Sequence, residues 1–470
     1  MIIEDRYNRQ ELIKGWDQSK LHKTRAVVIG AGTLANFTLA SLACLGVGNI
    51  EIYDNSLTQS GDSLRGEFLL SESGIGSPKS LELEKRLKQI NPSLRVKGVN
   101  LKLSGPLLAI VGNPDFIIDT TNNPLSKKDF ILYAKSKQIK FISASADFGR
   151  VEFYFSNGKY FKDSLLTDYS SKLQSVSLCS LIGGMISEEL RKSVMPLDNN
   201  DIPVNHIAYT LLSEERFSNK KEYEIVKPDL KNKKALIVGC GALGNFCSLL
   251  SSLEGIGSID LMDPDVVEST NLNRQILFYR SVGKPKAIAL EEEIKMITPS
   301  VNTRAIKDKL DENSKYFDEN TPDIIFDCVD NMASRAIINY YSVRNKIPLV
   351  SAGTGPRSGQ VIVYIPGKTE CLECKLGVEK SLSEQRKSNS CLHTSDPSVI
   401  MTNQITASMQ VLEGIKVLSD SYGDPLKSVL KYDSQIPIRG GYVGTDGICA
   451  CEKPDIQSWL KEVDSKSQSA

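Results

Sequence analysis

The chain has 470 residues, with 57 Lys and Arg against 57 Asp and Glu, 40% hydrophobic and 24% charged. This is the profile of a globular protein of two or three domains. A net charge of zero supplies no field to draw in a polyphosphate backbone, so nucleic-acid binding by bulk charge is excluded.

No apolar run approaches the ~20 residues of a membrane span, and the start MIIEDRYNRQ lacks the basic and apolar segments of a secretion signal. Ten cysteines are too sparse for a disulfide scaffold. A cytoplasmic chain with no membrane or nucleic-acid partner is expected.

In chain order, RYNRQ (6–10) precedes TRAVVIGAGTLANFTLASLACLGVGNIEIYD (24–54). That segment reads as a β-branched strand, a glycine-rich turn, a helix and a second strand ending in Asp54, a βαβ unit. The helical stretch KSLELEKRLKQI follows, then strands FIIDT and KFISAS, then the helix SLCSLIGGMISEELRKSV. ERFSNKKEYEIVKPDLKNKK (215–234) reads as a polar linker.

The first unit then recurs without a gap as KKALIVGCGALGNFCSLLSSLEGIGSIDLMD (233–263). Downstream, SPKS matches KPKA, INPS matches ITPS, and PDFIIDTTNN matches PDIIFDCVDN. So long a period means two related domains, not a solenoid. Further strands are expected at DIIFDC, IPLVSAG and QVIVYI. The closing helix is expected to start at Pro397 after Asp396, and the tail beyond Trp459 to be disordered. The fold expected is α/β: two tandem Rossmann-like, mainly parallel sheets flanked by helices, residues 1–220 and 221–470, with ligands beyond the carboxyl ends of the strands.

In GCGALGN, Gly239 and Gly241 allow a tight turn whose amides approach a phosphate at a helix N-terminus, and Asp263 can accept ribose hydroxyls. These residues alone fit an adenine nucleotide and a nicotinamide dinucleotide equally. STNLNRQ adds Asn271, Asn273, Arg274 and Gln275, and GKPK adds Lys286. Two cations suit a triphosphate attacked at its α-phosphorus, where the departing pyrophosphate must be neutralised. Asp330, with Asn331 and Arg335 beside it, is placed to hold Mg2+.

Together GCGALGN, Asp263, NLNRQ, GKPK, DCVDN and the paired cysteines resemble the adenylating domain of ubiquitin-activating enzymes and of ThiF-type enzymes of thiamine and molybdopterin biosynthesis. The resemblance implies attack of a ubiquitin-like protein's C-terminal carboxylate on ATP, giving an acyl-adenylate. It implies ATP binding by Gly239, Gly241, Gly244, Asp263, Asn271, Arg274, Gln275, Lys286, Asp330 and Asn331. No general base is needed, because a terminal carboxyl of pKa about 3.5 is already ionised.

The first copy has Ala35 for Gly244, Asp62 for Asn271, Leu64 for Asn273, Gly66 for Gln275 and Asn122 for Asp330, and keeps Asp54, Arg65 and Lys79. It is expected to be inactive. In the resembled family, RYNRQ belongs to the partner protomer and its second arginine reaches the ATP phosphates. Here that is Arg9, so the tandem reads as a fused, monomeric pseudo-dimer whose first half supplies an arginine in trans.

Cys371 and Cys374 have the spacing of a zinc half-site, and Cys449 and Cys451 can complete a four-sulfur, structural Zn2+ shell. The resembled family usually has two residues between the second pair, whereas this chain has only Ala450. Cys391, in SNSCLHTSDPSV, stands where ubiquitin-activating enzymes carry the cysteine that forms a thioester. The resemblance then implies hand-off to a conjugating enzyme. No appended ubiquitin-fold domain is expected after Cys451. An adenylyltransferase for a sulfur-carrier protein or modified peptide, without an obligatory thioester, stays open, as do a nucleotide-dependent scaffold and a dehydrogenase.

Overall fold

The computed structural model describes residues 6–159, 174–211, 216–217, 226–388, 396–435, 440–443 and 447–466. The first half runs α1 (Asn8–Glu11), α2 (Gln18–Lys23), β1 (Arg25–Ile29), α3 (Thr33–Leu45), β2 (Asn49–Tyr53), α4 (Lys79–Ile90), β3 (Arg95–Val99) and β4 (Phe116–Asp119). It continues through α5 (Pro124–Lys137), β5 (Lys140–Ala146), β6 (Arg150–Ser156), α6 (Val176–Val194) and β7 (His206–Thr210). The second half runs β8 (Lys234–Val238), α7 (Ala242–Glu254), β9 (Ser258–Met262), α8 (Lys286–Ile297), β10 (Asn302–Ile306), α9 (Tyr316–Glu319), β11 (Ile324–Asp327) and α10 (Met332–Asn345). Then follow β12 (Leu349–Thr354), β13 (Ser358–Tyr364), α11 (Leu372–Leu376), α12 (Val378–Ser388), α13 (Ile400–Leu418), β14 (Val429–Asp433), β15 (Gly440–Val443) and α14 (Ile456–Lys466).

The seven-stranded sheet has order β3-β2-β1-β4-β5-β6-β7, and the eight-stranded sheet β10-β9-β8-β11-β12-β13-β14-β15. In each, the first five strands are parallel and the rest antiparallel. The β8 strand is buried at four of its five positions, as expected of a strand covered by helices on both faces. The α/β reading of the sequence therefore holds.

The halves meet through long helices. Every residue of α3 is buried, and α6 and α13 are buried over nearly their whole length, so these helices form a shared middle layer. Gly184 permits the close approach of α6 and α13: a Cβ there would lie 2.8 Å from Ile405 Cγ1 and 3.2 Å from the Met401 carbonyl. Gln404 Nε2 donates to the Ser180 carbonyl at 2.8 Å, and Ser408 and Ser180 share a hydroxyl bond of 2.9 Å. Glu254, closing α7, accepts the Ser177 amide at 2.8 Å, supplying the N-terminus of α6 with an anion.

Two sequence expectations are corrected. The closing helix starts at Ile400, not Pro397: Ser398 gives its amide to the Arg9 carbonyl at 3.1 Å, and Val399 is extended at φ −130°. The tail beyond Trp459 is helical through Lys466, because Trp459, Leu460 and Val463 are buried. Arg216, in the polar linker, is buried against Glu413 at 2.7 and 3.2 Å. Among the described residues no helix is long and apolar enough to cross a membrane.

Candidate nucleotide site at the switch point of the second sheet

Strand order reverses between β8 and β11, and the crevice beyond their carboxyl ends is where such sheets bind ligands. Gly239 (φ 93°) turns the chain out of β8, and a Cβ on it would sit 2.9 Å from the Cys328 carbonyl. A Cβ on Gly244 would sit 1.9 Å from the Gly239 carbonyl, so no side chain fits there. Asp263 follows β9 directly and accepts the Cys240 amide at 2.7 Å and the Asp265 amide at 2.8 Å. Burial raises its pKa above the usual carboxylate value, against the opposing pull of Lys286.

The polar groups converge on this loop. Lys286 Nζ lies 2.8 Å from the exposed Asp265 carboxylate. Asn271 accepts the Glu268 amide at 3.0 Å. Gln275, whose Nε2 would lie 3.9 Å from a Cβ on Gly241, has a buried Oε1 with no hydrogen-bond partner among the described residues. Such an atom costs free energy unless a ligand meets it. Arg274 is buried and donates to the Thr270 carbonyl at 2.9 Å and to Asn273 Oδ1 at 2.8 Å. Burial, reinforced by the like charge of Arg9, lowers its pKa to about 10, so it stays cationic at neutral pH.

Asp330 is exposed past the end of β11, where a single carboxylate suits Mg2+, which takes one or two carboxylates together with phosphates. Asn331 caps α10 through the Ser334 amide at 2.8 Å and turns its Nδ2 to Asp330 at 3.3 Å. Arg335 is a correction to the sequence reading. It is buried and bonded to Asp327 (2.9 Å), Ser351 (2.5 Å) and the Val329 and Ala352 carbonyls (2.7 and 2.6 Å). It neutralises a buried carboxylate instead of facing a ligand.

RYNRQ docks on this site. Arg6 Nη1 donates to the Leu272 carbonyl at 2.9 Å, the Arg9 carbonyl accepts the Ser398 amide, and Gln10 Oε1 accepts from Asn273 Nδ2 at 3.1 Å. The segment that carries Arg9 is thus held against the loop that carries Arg274. The sequence reading did not single out Gln10; its place in RYNRQ was the only signal.

The first half keeps the same frame but fills it. Asp54 holds the Ala31 amide at 3.1 Å and the Ser56 amide at 2.7 Å. Its two retained cations are already neutralised: Arg65 pairs with Asp62, and Lys79 with Asp62 at 3.1 Å and Glu67 at 2.5 Å. At the matching positions the second half has Asn271 and Ile276, which carry no charge. Burial pushes Glu67 up to about 6 against the pull of Lys79. Asn122, in place of Asp330, turns inward and exchanges hydrogen bonds with Ala146 at 2.6 and 3.0 Å.

The four cysteine sulfurs at Cys371, Cys374, Cys449 and Cys451 lie within 4.8 Å of one another, with Cys371–Cys374 at 3.8 Å and Cys374–Cys451 at 3.4 Å. Sulfurs on a tetrahedral zinc are about 3.8 Å apart, so the set fits Zn2+ despite the single Ala450 spacer. The Cys371 amide donates to Cys449 Sγ at 3.3 Å, the kind of outer bond that orients a thiolate ligand. Cys391 lies outside the described residues.

The ThiF family model matches residues 7–225 and again 220–437. Molybdopterin-synthase adenylyltransferase of Escherichia coli is 30% identical over 210 residues, 44% of this chain and 80% of its own length. Adenylyltransferase and sulfurtransferase UBA4 of Yarrowia lipolytica is 32% identical over 146 residues, 31% of this chain and 37% of its own. SUMO-activating enzyme subunit 2 of Dictyostelium discoideum is 34% identical over 148 residues, 30% of this chain and 22% of its own. The match thus spans well under half the length of the latter two relatives. A solved structure of E. coli MccB with ATP overlaps 47% of this chain and 67% of its own at 28% identity, with a TM-score of 0.39. The chain belongs to the ThiF family, with the family's domain present twice in tandem.

Proposed function

We propose that the second half, residues 221–470, adenylates the C-terminal carboxylate of a ubiquitin-like protein, and that the first half, residues 1–220, is an inactive scaffold that lends it Arg9. The observation that carries this reading is the docking of RYNRQ on the second half, with Arg6 on the Leu272 carbonyl and Gln10 on Asn273, against a loop whose Gln275 Oε1 has no partner among the described residues. In the first half the equivalent cations are consumed by Asp62 and Glu67.

In this reading the Gly239–Gly244 loop takes the phosphates, Asp263 the ribose, and Asn271 and Gln275 fix the nucleotide's register. Arg9, Arg274 and Lys286 surround the β- and γ-phosphates, with Lys286 moving off Asp265 to do so. Asp330, with Asn331 beside it, would hold Mg2+. That ion, when bound, neutralises phosphate charge. The partner's carboxylate oxygen bonds to the α-phosphorus as the bridge to the β-phosphate breaks, and pyrophosphate leaves with the electron pair. The work is positioning and charge neutralisation.

Cys391 would then attack the acyl carbon as thiolate, expelling AMP and leaving a thioester for a conjugating enzyme. The four cysteines would hold Zn2+ structurally, since four sulfurs leave no open position. The family match supports a second reading equally at this step: relatives named as sulfurtransferase and molybdopterin-synthase adenylyltransferase favour a sulfur carrier or peptide activated without an enzyme thioester.

The two separate by experiment. Incubation with Mg-ATP and candidate ubiquitin-like proteins, followed by gels with and without reductant, should give a reducible adduct lost in Cys391→Ala. Pyrophosphate exchange without such an adduct favours the second reading. Absence of exchange with every carboxylate partner rejects both.

A further inference from the structure

We propose that Gln10 is a positioning residue, whose amide, bonded to Asn273, fixes the separation of Arg9 in the first half from Arg274 in the second. The inference rests on the reading that both arginines serve the phosphates of ATP.

Gln10 is fully buried on α1. Its Nε2 donates to Gln18 Oε1 at 2.6 Å and to the Leu45 carbonyl at 3.1 Å, which roots it in the first half at the end of α3. Gln18 is itself fixed by bonds to Leu45 and Trp16 at 3.0 and 2.9 Å. On its other side, Gln10 Oε1 accepts from Asn273 Nδ2 at 3.1 Å.

Asn273 Nδ2 also reaches the Ser398 carbonyl at 3.3 Å, and the Ser398 amide donates to the Arg9 carbonyl at 3.1 Å. The ring through Gln10, Asn273, Ser398 and Arg9 is closed. From it, Asn273 Oδ1 accepts Arg274 Nη1 at 2.8 Å. A continuous path of hydrogen bonds therefore runs from the first half's core to the second half's guanidinium, and Arg9 is held by its backbone in the same ring.

The chemistry requires an amide at this place. Two neighbouring guanidiniums repel each other until an anion arrives, so their approach must be imposed by other bonds. Only a group that both donates and accepts can satisfy Gln18 and Leu45 on one side and Asn273 on the other. A carboxylate could accept from Asn273 but could not donate to Gln18 or Leu45, and an apolar side chain would leave buried partners unpaired.

The test uses the full chain and calorimetric titration with Mg-ATP and with AMP. Gln10→Met is expected to weaken Mg-ATP binding about tenfold and AMP binding less than about twofold, because only the triphosphate needs both arginines. Arg9→Ala should do the same, and Arg9→Ala with Gln10→Met no more than Arg9→Ala alone, since Gln10 acts through Arg9. Asn273→Ala approaches the lock from the other half and should reproduce Gln10→Met, which keeps the question open to measurement should Gln10→Met fail to fold. Unchanged ATP binding, equal losses for ATP and AMP, or losses that multiply in the double variant would each overturn the positioning role. A wild-type chain that binds no Mg-ATP would instead overturn the nucleotide reading beneath it.

Discussion

Two lysines in matching places have opposite fates. Lys286 meets one exposed carboxylate that a phosphate can displace, whereas Lys79 is clamped by two carboxylates. The loop glycines Gly239 and Gly241 and Asp263 were legible in the sequence because both copies repeat them, and Asn271, Asn273 and Gln275 because the first copy replaces them. Arg335, five residues after Asp330, is expected from the sequence to stand beside the magnesium carboxylate, and does not. The buried Asp327 demands a counter-charge, and the first half repeats the arrangement with Lys127 at 3.9 Å from Asp119, so the signal lay in the repeat. Lys286→Met should lower pyrophosphate exchange at least about 100-fold, the scale of losing one charge contact to the transition state. Arg65→Ala should leave exchange within about twofold, as its guanidinium is committed to Asp62. An exchange assay on both variants checks the pair.

Among the elements, the βαβ units were predictable from alternating β-branched runs and glycine turns. Of the antiparallel strands β13 was expected, as QVIVYI, whereas β6, β7, β14 and β15 were missed because they lie outside the strand–turn–helix pattern of a βαβ unit. Its terminal position makes the tail read as disordered. The apolar positions Trp459, Leu460 and Val463 have helical spacing, and Trp459 stacks on Tyr340 at 4.5 Å and donates to Glu379 at 2.9 Å. Trp459→Ala should cost about 3–5 kcal/mol, as for other buried aromatics, measured by denaturant unfolding. If the four cysteines hold zinc, metal analysis should find one ion per chain, and Cys374→Ser should lower both zinc content and melting temperature.

At the scale of the molecule, the halves act as one unit because charged and polar groups cross the seam along with the buried helices. Glu413 on α13 accepts Arg216 from the segment between the halves, and Lys416 lies beside it at 3.2 Å. Burial alone would raise its pKa, but Lys416 and Arg216 outweigh that and hold it below the ordinary 4.5. Its contribution is therefore complete above that value and is lost as pH falls through the lower folded pKa. Glu413→Gln should cost about 3–5 kcal/mol at pH 7, as for a broken buried pair, and progressively less in acid. Urea unfolding at pH 7 and below pH 4 reads the difference.

The repeat made the two halves visible in sequence, while the reach of Arg9 toward the other half's nucleotide came only from the resemblance, since no spacing in one dimension encodes it. The central claim is that a single triphosphate site in the second half is completed by the first. A structure of the full chain with Mg-ATP tests this most directly. The nucleotide should lie on the Gly239–Gly244 loop with Arg9 within hydrogen-bond reach of its phosphates; a nucleotide seated on the Gly30–Ala35 loop, or one that leaves Arg9 facing solvent, would contradict it.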